Sequence, residues 1–216
     1  MRLFVLIAAA ASPLFASPAA AASTSVPPAQ RYVACVAQKH PATVRALLQA
    51  SDRATAERPY RSLSGDDRCL SIVFDDQNYR AQDVVFPIDV LRGKLAEQSL
   101  LTAAPQVLAL SALPLEQKRY IRPWFAATGR DPSVDEMGAC IADTDPAGIL
   151  ALVRSSTGGP DEDRAVANLK PSLGKCLSAN TRLQAGRPAL RAALAEALYQ
   201  RMTNPALSAP AQETPK

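Results

Sequence analysis

The chain has 216 residues, 48% of them hydrophobic but only 5% aromatic, with 24 Lys and Arg against 20 Asp and Glu and a formal charge of +4. So small and unclustered an excess argues against a nucleic-acid or anionic-membrane partner, and a single His gives a multi-His metal site or a Ser-His-Asp triad only one candidate. Forty-one residues are Ala against 9 Gly, and because Ala is the best helix former the composition favours an all-α fold.

Residues 1–22 read as a secretory signal peptide. Arg2 is followed by an apolar run from Leu3 to Ala11 and by Leu14 and Phe15, and Ala20-Ala21-Ala22 precedes the polar Ser23. The run is short and Pro13 interrupts it, which favours cleavage near Ala22 over a retained anchor. Loss of Arg2 leaves a net charge of +3. No later stretch approaches the roughly 18 apolar residues of a membrane span, so no transmembrane segment is expected after cleavage. No Cys stands at the cleavage point and no Asn-x-Ser/Thr occurs, in keeping with a bacterial periplasmic or secreted protein.

After a linker over residues 23–28, a first helical unit is expected over 29–101. Ala29, Tyr32, Val33 and Val36 fall at i, i+3, i+4 and i+7, the stripe of a core-facing helix. His40-Pro41 starts a second helix, with His40 in the N-cap position and Pro at the first helical one. Within residues 72–86 two β-prone runs flank a polar stretch, which predicts a small β-hairpin or a loop. Asp75, Asp76, Asn78, Tyr79, Arg80 and Asp83 form a candidate ligand loop there. The stretch lacks the Gly and terminal Glu of a calcium loop, so a solvated loop is the competing reading. A helix from Pro87 to Leu101 presents Ile88, Leu91 and Leu95.

Residues 102–132 form a connecting segment in which Tyr120, Trp124 and Phe125 either pack between helical units or line a groove. A second unit is expected over 133–202. Ser133-x-x-Glu136 reads as a capping box ahead of Val134, Met137, Gly138 and Ile141. Asp145-Pro146 restarts a helix, Asp161-Glu162-Asp163 places acids at the next helix start, and Pro188 to Met202 closes the unit. Residues 203–216, with three Pro, read as a disordered tail.

The two units look like tandem copies. Cys35 to Ser51 lies in ungapped register with Cys140 to Ser156, sharing Cys, Ala, Pro, Ala, Ala, Leu and Ser. The match resumes at Cys69-Leu70-Ser71 against Cys176-Leu177-Ser178, and at Leu91 to Glu97 against Leu190 to Glu196. An even number of Cys in an exported chain predicts disulfides. Each copy carries an early and a late Cys, so the expected bridges are Cys35–Cys69 and Cys140–Cys176, with crossed pairing between copies as the alternative.

The sequence names no chemistry. Gly-x-Ser-x-Gly, P-loop, His-Glu-x-x-His and Gly-x-Gly-x-x-Gly are absent, so no catalytic residue, cofactor or metal is expected. Glu97 and Glu196, equivalent by the repeat, are candidates for an acid–base pair, but they read more simply as solvated helix residues. Arg92 and Arg191 read likewise as surface charge. With Ala34-Cys35-Val36-Ala37, Ala139-Cys140-Ile141-Ala142 and the two Leu-Arg-x-x-Leu-Ala-Glu motifs, the mature chain resembles exported, Ala-rich helical proteins of Gram-negative bacteria. That resemblance implies a compartment and attaches no activity or site residue. Two readings follow. The first is a non-enzymatic periplasmic or secreted interaction module with a periplasmic or extracellular protein partner, bound in a groove between the units. The second is a small hydrolase or ligand-binding protein with its site at the Asp75–Asp83 insertion.

Overall fold

The computed structural model describes residues 28–74, 86–115, 120–177, 181 and 184–205, and within them it holds eleven helices and no strand. In chain order these are α1 (Pro28–Lys39), α2 (Pro41–Gln49), α3 (Arg53–Ser64), α4 (Asp67–Phe74), α5 (Ile88–Thr102), α6 (Ala104–Leu108), α7 (Phe125–Thr128), α8 (Pro132–Thr144), α9 (Pro146–Arg154), α10 (Pro160–Cys176) and α11 (Arg187–Thr203). The expected signal peptide, residues 23–27 of the linker and residues 206–216 of the tail lie outside the described residues.

Prolines and short acids punctuate the chain as the sequence suggests. Pro41, Pro132, Pro146 and Pro160 all open helices, where a missing N–H costs nothing. The Asp145 side chain accepts a hydrogen bond from Gly148 N at 2.9 Å and caps α9. Two expectations are corrected. The cap of α8 is Asp131, whose Oδ1 accepts from Ser133 N at 2.8 Å, so helix α8 starts at Pro132 and the Ser133–Glu136 capping box does not set its start. Ile72, Val73 and Phe74, the first β-prone run, continue α4 as helix and supply no hairpin strand.

The central event is the packing of α5 against α11, with α1 and α2 laid on α5 and α8 and α9 on α11. Gly93 permits the closest approach. A Cβ there would lie 2.6 Å from Ala192 O and nearer still to the Ala192 Cα and Cβ. One apolar core runs through both halves, from Leu47, Leu91 and Leu95 to Ile141, Ile149, Leu194 and Leu198, all fully buried. The disulfides follow the intra-unit scheme. Cys35–Cys69 ties α1 to α4 and Cys140–Cys176 ties α8 to α10, each with Cα atoms 5.6 Å apart, so the crossed pairing is eliminated. Loops of 34 and 36 residues correspond to about 3–4 kcal/mol each in the chain-entropy account.

Candidate functional site

The Leu-Arg-x-x-Leu-Ala-Glu motifs lie on α5 and α11, where the close crossing turns their charged residues inward. Arg92 and Glu196 are fully buried, Arg191 is 1% exposed and Glu97 5%. This corrects the solvated reading of all four. The pairing is reciprocal. Arg92 Nε donates to Glu196 Oε1 at 2.7 Å, and Arg191 Nη2 donates to Glu97 Oε1 at 2.6 Å. Each arginine also closes the carboxyl-terminal end of a helix. Arg92 donates to Leu47 O and Leu48 O at the end of α2, and Arg191 donates to Val153 O and Ser155 O at the end of α9, where the helix dipole favours a cation.

Further partners balance each pair. Arg130 Nη2 reaches Glu196 Oε2 at 2.7 Å while its Nη1 reaches Asp135 Oδ1 at 3.0 Å, and Thr128 Oγ1 donates to Asp135 Oδ2 at 2.6 Å. On the other side Glu162 Oε1 takes Arg191 Nη1 at 2.9 Å and Lys94 Nζ lies 3.2 Å from Glu97 Oε2. Burial alone would lower the Arg191 guanidinium, yet Glu97 and Glu162 raise it above its ordinary value. Burial pushes the Asp135 carboxyl up to about 6, against the opposing pull of Arg130 and Thr128. Glu97 and Glu196, each locked to guanidinium groups on the neighbouring helix, are structural and not a solvent-facing acid–base pair.

Among the described residues one open surface lies along α1 and α5. A groove of about 490 Å³ is walled by Ala34, Ala37 and Gln38 of α1 and by Gln98 and Thr102 of α5, and Val44 and Arg45 of α2 and Tyr199 and Met202 of α11 complete it. A second hollow of about 280 Å³ shares Ala34 and Gln98 with it and has Gln30, Lys94, Glu97 and Arg191 in its lining.

The α8–α11 face is built from residues in register with these, and it is filled. Ala139, Ala142, Asp143, Ala197 and Arg201 stand where Ala34, Ala37, Gln38, Gln98 and Thr102 stand in the first half. Together with Gln200 they are covered by Arg122 and Trp124, leaving about 10 Å³. The covering strap is tied down at three of its described residues. Leu113 N donates to Asp143 O at 2.7 Å, Arg201 Nη2 to Ser111 O at 2.5 Å, and Arg122 Nη2 to Asp143 Oδ2 at 3.4 Å. Trp124, 4% exposed, packs edge-on against Phe125 at a centroid distance of 4.6 Å. On its outer side Trp124 borders a further hollow of about 550 Å³ with Gln49, Ser51 and Asn204.

Side-chain size explains why the helices of one half sit closer. A Cβ on Gly138 would lie 3.3 Å from Ala193 O and from Ala197 Cβ, so α8 rests directly on α11. The matched positions on α1 and α5 are Val33, Lys94 and Gln98. Their bulk holds that pair of helices apart and leaves the hollows between them.

The six residues of the expected ligand loop, Asp75, Asp76, Asn78, Tyr79, Arg80 and Asp83, lie outside the described residues. His40 stands at the start of α2 but makes no side-chain cap bond. Its Nε2 lies 2.8 Å from Asp66 Oδ2, and Asp66 Oδ1 accepts from Cys69 N at the start of α4. The groove residues were not singled out by sequence reasoning, although the replacement of Gly138, Ala193 and Ala197 by Val33, Lys94 and Gln98 between the matched segments carried the signal. Comparison with protein-family models, with curated proteins and with solved structures finds no match for the chain.

Proposed function

We propose that this chain is an exported, non-enzymatic interaction module of the periplasm or extracellular medium, and that its receptor surface is the groove between α1 and α5. The observation that carries the reading is the contrast between matched faces: about 490 Å³ is open between α1 and α5, and about 10 Å³ remains between α8 and α11. On this view a disulfide-stapled helical unit was duplicated, one groove became covered by the chain's own strap, and the other kept its capacity to bind. The disulfides support an oxidising compartment. So does the amino-terminal sequence, whose cleavage near Ala22 is part of the proposal.

The test is a photo-reactive residue placed at Ala34, on the exposed side of α1, in the cell that makes the protein. A discrete cross-linked adduct at Ala34, absent when the same residue is placed at the exposed Arg164 of α10, is the expected result. No adduct at Ala34, or equal labelling at both places, would remove the groove as the receptor surface.

A further inference from the structure

The filled face of the molecule displays what the open face is shaped to hold. Its occupant is the chain at residues 111–113 and 120–124, fixed through backbone groups at Ser111 and Leu113 and anchored by the buried indole of Trp124, which stands in the turn that opens α7. The anchor lines the same small residual void as Ala139 and Ala142, whose counterparts Ala34 and Ala37 are also alanines, so the open groove keeps small residues where an aromatic ring can lie, beside Val44, Tyr199 and Met202.

The polar walls differ in a way that sets specificity. In the filled face Asp143 takes the guanidinium of Arg122, and Arg201 donates to the strap carbonyl of Ser111. In the open face Gln38 replaces Asp143 and Thr102 replaces Arg201. A neutral amide and a hydroxyl can satisfy a peptide backbone but offer no counter-ion to an arginine of the occupant. Among the described residues, Arg45 of α2 is the one charged side chain in the lining of this groove.

Resting on the reading of this surface as a receptor groove, we infer that the α1–α5 groove docks a partner protein through a large aromatic side chain, placed as Trp124 is placed over α8 and α11, with no cation beside it. Main-chain bonding to Gln38 and Thr102 supplies orientation and the buried ring supplies most of the affinity, as interface anchors do.

The probe is a fluorescein-labelled peptide spanning residues 120–126 of this chain with Arg122→Gln, titrated into the full disulfide-intact protein and followed by anisotropy. Saturable binding is expected, weakened about ten-fold or more when the peptide also carries Trp124→Ala. It should also be lost in protein bearing Ala34→Phe, which fills the groove from an exposed helix position. If that variant melts differently from the parent, Thr102→Phe on the opposite wall serves in its place. Equal binding of both peptides, or binding undiminished by the groove-filling variant, overturns the inference. Binding that appears only after residues 206–216 are removed overturns it as well, because the chain's own carboxyl terminus is then the occupant. Loss of aromatic preference with a persistent adduct at Ala34 sinks the anchor alone, whereas loss of the adduct sinks the receptor groove itself.

Discussion

The buried charges of α5 and α11 depart most from what their residue types suggest. A carboxylate or guanidinium is buried only when it is paired, and removing one member costs about 3–5 kcal/mol because the other is stranded. Here Glu196 and Asp135 hold Arg92 and Arg130, and Glu97 and Glu162 hold Arg191 and Lys94, so each balanced set spans both halves. Asp135 is the member with a readable titration. Its folded carboxyl lies near 6, above the ordinary value of 3.8, so the folded state binds the proton more tightly than the unfolded chain. The stability this group contributes is therefore fully present below pH 3.8 and is lost as pH rises through about 6. Asp135→Asn should remove that slope, so the stability of the wild type relative to the variant falls by at most about 1.4 kcal/mol per pH unit over this window. Parallel curves for the two proteins between pH 4 and 6 would show that Asp135 titrates normally.

Between elements, the α5–α11 crossing depends on one missing methyl group. Ala is a better helix residue than Gly by about 1 kcal/mol, so Gly93→Ala in an isolated helix would stabilise. In this fold the new Cβ meets the backbone of Ala192, and α5 must shift away from α11. Net destabilisation of about 1–3 kcal/mol is expected, read as a lower Tm in thermal unfolding. A raised Tm would mean that the crossing is looser than described. The helix ends follow local rules more closely. The Asp145-Pro146 step opens α9 at the residues the chain marks for it, because cap and proline act within one turn. The capping box at Ser133 failed for the same reason: Asp131-Pro132, two residues earlier, is the stronger start.

In the molecule as a whole, the connecting segment does two jobs. It joins the halves, and its aromatic residues cover one of two matched faces. Trp124→Ala should cost about 3–5 kcal/mol, lowering the Tm while leaving both disulfides intact, because a large buried ring is replaced by a void next to the 10 Å³ that remains. An unchanged Tm would show that the indole contributes no packing. The same variant opens the α8–α11 face, so the molecule would then present two similar grooves in place of one. The asymmetry comes from small changes in bulk at Gly138, Ala193 and Ala197 against Val33, Lys94 and Gln98.

Composition and periodicity pointed to the all-helical class, and matched spacing within each half favoured Cys35 with Cys69 and Cys140 with Cys176, because these depend on local propensity and short-range register; only the fold eliminated the crossed pairing. The folded chain alone decided where the charges go. A Leu-Arg-x-x-Leu-Ala-Glu helix is equally consistent with an outward or an inward arginine, and only contact with a second such helix, close-packed through Gly93, makes the inward choice favourable. The groove was decided at the same level. Whether a face stays open depends on what lies across it, and α8–α11 is covered by Ser111, Leu113, Arg122 and Trp124, distant in sequence from much of the surface they cover.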